Sequence, residues 1–346
     1  MNPRRVLRIT PVLVALTLGA CSVTASPSLE PTARANVTAA PTFAAVTRVP
    51  TPTATARPLL PPTGNILFTA IAPKARMSSI FRMNADGSGL TNLTGTRGGY
   101  APAWSPDGTE IAFTSNAGNG TGIWVMRSDG SRPTQVRYDP SKVAESPAWS
   151  PSGRQIAFIE SDVCSRCGVG MTWTLNVMNA DGSGLHKLAE PGGDDRPAWS
   201  SDGQAIFFAG RSDDPPTQAN GLQSIRLDGT DLHQVMAESP SSPAWSSDGR
   251  LAFLRSTGAA DDGTVLFSLV VANADGSSPR LVPLPIVIES PVTWSPDGGW
   301  LSIAGATTLA TLEAGMWDIW IMRPDGTDIR NLTMSSDRGE SAPAWH

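Results

Sequence analysis

The chain has 346 residues, with 26 Lys and Arg against 31 Asp and Glu for a formal net charge of −5, and it carries only three histidines and three cysteines. A mildly acidic chain without a basic stripe argues against nucleic acid as a partner. So few imidazoles argue against a His-rich metal site or a histidine general base.

Residues 1–20 have the layout of an export signal. Arg4, Arg5 and Arg8 make a basic start, Ile9 to Ala20 form an apolar run too short to remain in a bilayer as a spanning helix, and small residues lead into Cys21. Leu18-Gly19-Ala20-Cys21 resembles the bacterial lipobox. That resemblance implies a lipid on Cys21 and a protein anchored at the extracytoplasmic face of a bacterial membrane, periplasmic or at the cell surface. Residues 21–63 are built of Pro, Thr, Ala and Ser with no apolar periodicity. Burial in such a segment cannot offset the entropy of ordering it, so it is read as a disordered tether. Its reach lies between ~35 Å as a coil and ~130 Å fully extended. A glycosylated stalk is the alternative reading of the Thr and Pro richness.

From residue 64 the sequence repeats. Trp104, Trp149, Trp199, Trp245, Trp294 and Trp345 stand in the same short phrase at gaps of 45, 50, 46, 49 and 51 residues, the signature of stacked units that cannot bury their apolar faces alone. Five copies run on into a turn such as Ser105-Pro106-Asp107-Gly108 or Ser295-Pro296-Asp297-Gly298, residues suited to a type I turn. A β-prone run follows, as in Ile111-Ala112-Phe113-Thr114. The next strand alternates with period two in Ile123-Trp124-Val125-Met126 and Ile319-Trp320-Ile321-Met322. It ends at an Asp-Gly pair, one of six from Asp86-Gly87 to Asp325-Gly326, which marks a hairpin. A fourth strand, Leu90 to Leu93 in the first copy, completes the unit.

Pro102, Pro147, Pro197, Pro243 and Pro343 all precede a repeat Trp by two places. Proline has no N–H to give to a sheet ladder, so the Trp strand is an edge, and in a ring of blades it is the innermost strand lining the channel. The first copy opens at Ile66-Leu67-Phe68-Thr69 without a Trp strand, and Pro343-Ala344-Trp345 stands alone at the other end. The two halves fit together. The chain is therefore expected to be all-β, a six-bladed β-propeller of four-stranded blades over residues 64–346, with the first blade closed by the C-terminal strand.

The phrase Pro-Ala-Trp-Ser-Pro-Asp-Gly, then Ile-Ala-Phe, Ile-Trp-Val-Met, Asp-Gly and a Leu-Thr strand (Leu93-Thr94, Leu332-Thr333) resembles the TolB-like, WD40-like propeller repeat across about residues 64 to 346. The resemblance implies the fold and leaves function open, because the family uses that fold for many tasks. The TolB members work with a peptidoglycan-associated lipoprotein and have an α/β domain ahead of the propeller. Residues 21–63 have neither the length nor the patterning of such a domain, so that partner is not carried over. The Trp and Asp-Gly residues themselves are read as scaffold.

Chemistry is sparse. Cys164 and Cys167 fall in a loop between the second and third strands of the third blade, where an oxidising compartment favours a local disulfide; redox activity would need a helix N-terminus or a βαβ setting. His186 and His233 both fall on outermost strands, and there is no Gly-x-Ser-x-Gly elbow. The loops 161–172, 211–221, 306–316 and 333–342 vary in length and content and share one face of the ring, and binding residues concentrate on such loops. Glu145, Asp194, Asp195, Glu289 and Glu340 gather just before the Trp strands, where they would make a negative channel mouth attractive to a cation or a basic peptide. The expectation is a monomeric, non-catalytic binding module for an envelope protein or peptide, without cofactor, metal or catalytic residues. A carbohydrate- or peptide-processing enzyme built in the channel, or a solute-sensing propeller, are the alternatives.

Overall fold

In a computed structural model the chain divides into Met1–Arg57 and a compact unit, Pro58–His346. The residues described are 61–71, 77–163, 172–191, 196–210, 221–237, 241–259, 265–288 and 291–346. The export signal, Cys21 and nearly all of the tether lie outside them, as do Cys164, Cys167, Asp194, Asp195 and Glu289.

Six antiparallel sheets follow one another. Blade 2 is typical, running from its inner strand Tyr100–Trp104 through Glu110–Ser115 and Gly122–Arg127 to its outer strand Thr134–Arg137. Blade 3 repeats it with Lys142–Trp149, Gln155–Asp162, Trp173–Asn179 and His186–Ala189, and blade 4 with Ala198–Trp199, Ala205–Gly210, Gly221–Arg226 and His233–Met236. Blade 5 comprises Ser241–Trp245, Arg250–Ala259, Val265–Asn273 and Arg280–Val282. In blade 6 the inner position is divided between Val287–Ile288 and Thr293–Trp294, both paired with Leu301–Ala306, and Asp318–Met322 and Arg330–Asn331 follow. Blade 1 takes Asn65–Ile71, Ser79–Asn84 and Thr91–Asn92 from the start of the unit and Gly339–Trp345 from its end.

That closure is specific. Ile66 pairs with Trp345 and Leu67 with Ala344, His346 N–H donates to the Asn65 carbonyl at 2.9 Å, and the Trp345 indole donates to the Thr63 carbonyl at 2.8 Å. The packing shows the ring independently. Second strands are apolar on both faces, with Ile66, Leu67 and Phe68 all fully buried, as strands sandwiched between layers must be. The core divides into six clusters, one at each boundary between neighbouring blades. A row of six blades has five boundaries; the sixth joins Ile66, Phe68 and Trp345 of blade 1 to Trp300, Ala304 and Ile319 of blade 6.

Both repeated turns end on a left-handed glycine, but the turn after the inner strand of blade 2 closes from Ser105 N–H to the Glu110 carbonyl, one residue longer than the Asp-Gly turn. Gly87 N–H donates to the Asn84 carbonyl and Asn84 N–H to the Ser88 carbonyl, with Gly87 at φ +86° while Asp86 is not left-handed. This is a type I turn closed by a left-handed glycine, with a three-residue loop in place of the two-residue turn that an Asp-Gly pair most often signals. The aspartate tightens it, because Asp86 Oδ1 accepts from both N–H and hydroxyl of Ser88. Ser or Thr two residues on does the same for Asp181, Asp228 and Asp325.

Candidate functional site

Strand order fixes two unlike faces. The turns after inner and third strands share one face, and every turn there is tied by its own side chains. The loops after second strands and outer strands share the other. One of these carries the short helix Leu309–Glu313, which interrupts blade 6.

The inner strands carry an irregularity that sequence reading missed. Ala101, Ser146, Ser242 and Ala342, each directly before the Pro of its Pro-Ala-Trp phrase, have φ of 49°, 56°, 54° and 50°. The pairing register shifts at this place in each of those blades. These are β-bulges, which bend an edge strand and re-aim its side chains. Two are supported from the preceding blade, where Thr69 Oγ1 accepts from Ala101 N–H at 3.1 Å and Thr114 Oγ1 from Ser146 N–H at 3.3 Å.

Two of the five sequence-selected carboxylates fall among the described residues, and they occupy different settings. Glu145 pairs opposite Ile159 and is half-buried; it accepts the hydroxyl proton of Tyr100 from the inner strand of blade 2. Burial first, and that bond second, hold the Tyr100 phenol well above its usual range. Glu340 pairs opposite Ala70, one place out of step with Glu145, so by the alternation of a strand it points to the other side of its sheet. It is completely buried, where Ser335 Oγ donates to it at 2.6 Å and Arg338 Nε at 2.8 Å. Its charge is therefore balanced inside the fold between blades 6 and 1.

Arg196 is the residue that the sequence reading passed over. It holds, in blade 4, the place of Ala101 and Ser146, immediately before Pro197. No hydrogen bond or ion pair joins it to another described residue, whereas Arg137, Arg250 and Arg338 all meet carboxylates. It is half-buried, and enclosure by protein draws its guanidinium down to about 10. His186 and His233 are exposed at the first residue of their outer strands. Among the described residues no group of three or more His, Cys, Asp or Glu is gathered as metal ligation would need.

The repeat, the six boundaries and the closing strand define a closed six-bladed β-propeller. The TolB beta propeller domain matches residues 42–249, and the chain belongs to that family. A Tol-Pal system protein TolB from Anaeromyxobacter dehalogenans (strain 2CP-C) is 44% identical over 45 residues, a stretch covering 13% of this chain and 10% of that protein. Among solved structures, TolB from Acinetobacter baumannii superposes with a TM-score of 0.66 at 16% identity, over 82% of this chain and 66% of the other. An oligogalacturonate lyase in complex with manganese has a TM-score of 0.51 at 12% identity, covering 78% of this chain and 74% of that one. At such identities these structures share the fold, which both a TolB and a lyase use.

Proposed function

We propose that this is a non-catalytic recognition module of the bacterial envelope, exported and held at the extracytoplasmic face of a membrane by a lipid on Cys21. The observation that carries it is the contrast between the faces of the ring: one tied turn by turn, the other built of loops free to differ on a rigid support. The relatives named Tol-Pal system protein TolB support an envelope setting and a protein or peptide partner. The exposed positions of His186 and His233, each on the outer strand of its blade, favour binding over hydrolysis. The molecule acts as a monomer in this reading, with Cys164 and Cys167 joined to pin one of the variable loops.

Glu145, Asp194, Asp195, Glu289 and Glu340 enter as a negative mouth in a narrower form. Glu145 is engaged by Tyr100 and Glu340 by Arg338, so the attraction for a basic segment rests on Asp194, Asp195 and Glu289. Affinity capture from envelope extract, using the protein and a variant whose 307–316 loop, between the strands Leu301–Ala306 and Asp318–Met322, is replaced by a short Gly-Ser turn, tests the recognition face. A partner retained equally by both would count against it. Replacing Asp194, Asp195 and Glu289 with Gln should weaken capture at low salt more than at high salt. Lipid label that persists on Cys21→Ser would defeat the anchor.

A further inference from the structure

We propose that the central channel contains an oxyanion site built on Arg196 and flanked by Ser146 and Ser242, which takes the carboxylate or phosphate group of a small ligand. The inference goes beyond the envelope reading and does not require a protein partner.

Placement comes first. The residue before the Pro of the Pro-Ala-Trp phrase is Ala342 in blade 1, Ala101 in blade 2, Ser146 in blade 3, Arg196 in blade 4 and Ser242 in blade 5; Pro291 takes the place in blade 6, where Val292 stands for the proline. By the repeat these six positions are equivalent, on the inner strand in four blades and just ahead of Ala198–Trp199 and Thr293–Trp294 in the other two. The set is lopsided. Three consecutive blades bring Ser, Arg and Ser, and the other three bring Pro, Ala and Ala.

Energetics comes second. An arginine enclosed by protein without an anion is costly, because desolvation is not balanced by a partner. Two other half-buried arginines are balanced by carboxylates, Arg137 by Glu160 at 2.6 Å and Arg338 by Glu340 at 2.8 Å. Arg196 has no described counterpart, and even with its proton affinity lowered to about 10 it stays charged at neutral pH. A guanidinium offers a planar fork of N–H donors that matches two oxygens of a carboxylate or phosphate. Hydroxyls on the adjacent blades suit the remaining oxygen lone pairs. The alanine side would meet the apolar part of a ligand.

The test uses the purified protein with sodium acetate or sodium phosphate as probe, sodium chloride holding ionic strength constant. Isothermal titration and the thermal midpoint are the readouts. The wild type should show saturable binding and a rising midpoint with acetate, phosphate or both, and the effective probe names the group recognised. Arg196→Gln should weaken that binding at least about tenfold. Arg196→Lys should keep part of it, and Ser146→Ala with Ser242→Ala should cause a smaller loss. Without added anion, Arg196→Met should melt at or above the wild type, since it removes an unbalanced charge. An arginine with only a structural role would give the opposite result. Absence of saturable binding to the wild type, equal binding by Arg196→Gln, or a clearly lower midpoint for Arg196→Met would each overturn the proposal.

Discussion

Trp345→Ala is the sharpest test of ring closure. The indole is buried at the boundary between the last and first blades, beside Ile66, Phe68 and Trp300, and it ties the Thr63 carbonyl across 282 positions of sequence. Removing a buried Trp side chain costs about 3–5 kcal/mol, a range that covers the lost hydrogen bond of about 1 kcal/mol. At about 2–4 °C per kcal/mol for large domains, the thermal midpoint should fall by roughly 6–20 °C. Circular dichroism on heating measures it, with urea unfolding as a check against irreversible loss. Met334→Ser is the control, because Met334 is 76% exposed and should change the midpoint by no more than about 2 °C. A Trp345→Ala protein that melts with that control would refute the closure.

Further outcomes follow from the turns and the buried phenol. Gly182 sits at φ +88° and an added Cβ would lie 2.2 Å from the Val136 carbonyl oxygen, whereas Gly229, at φ +77°, has nothing within 4 Å. Gly229→Ala should therefore cost only the left-handed penalty of about 1–2 kcal/mol, and Gly182→Ala distinctly more by urea denaturation. Ser88 holds Asp86 below the usual carboxylate range, and Ser183 and Thr230 do the same for Asp181 and Asp228. Stability from these groups is present above about pH 4 and is lost as pH falls through the lower folded values, so the thermal midpoint should fall below that pH. An Asp86, Asp181 and Asp228 to Asn triple variant should show a shallower drop. Burial and Glu145 raise the Tyr100 phenol, so the folded state keeps a proton that the unfolded state releases near pH 10, and stability falls as pH rises beyond it. In an alkaline titration followed by tyrosinate absorbance, Tyr100→Phe should abolish a late-ionising component, and Glu145→Gln should move it only part of the way back.

The blade count and the closing strand were legible because turn chemistry and alternation are local and repeat in register. Six Asp-Gly turns and the lone Pro343-Ala344-Trp345 were enough to place Gly339–Trp345 against Asn65–Ile71. The site was less legible. Glu145 and Glu340 look alike in a list of acids before a Trp strand, yet one residue of register puts the first at Tyr100 and the second wholly inside the fold. The left-handed residues Ala101, Ser146, Ser242 and Ala342 carry no glycine to announce them; surrounding packing imposes their conformation. Arg196 could have been found by aligning the position before each repeat proline, where it is the single charge among small residues and Pro291.

The shared first blade also orders events during synthesis. Asn65–Ile71 emerges early, with one edge awaiting Gly339–Trp345, so until that strand arrives the nascent ring presents an unpaired apolar strand. Such an edge is a template for pairing with the wrong chain. A protein of this design depends on being kept from its neighbours until the final strand arrives, and C-terminal truncations should be lost to aggregation more readily than their lost contacts alone would suggest.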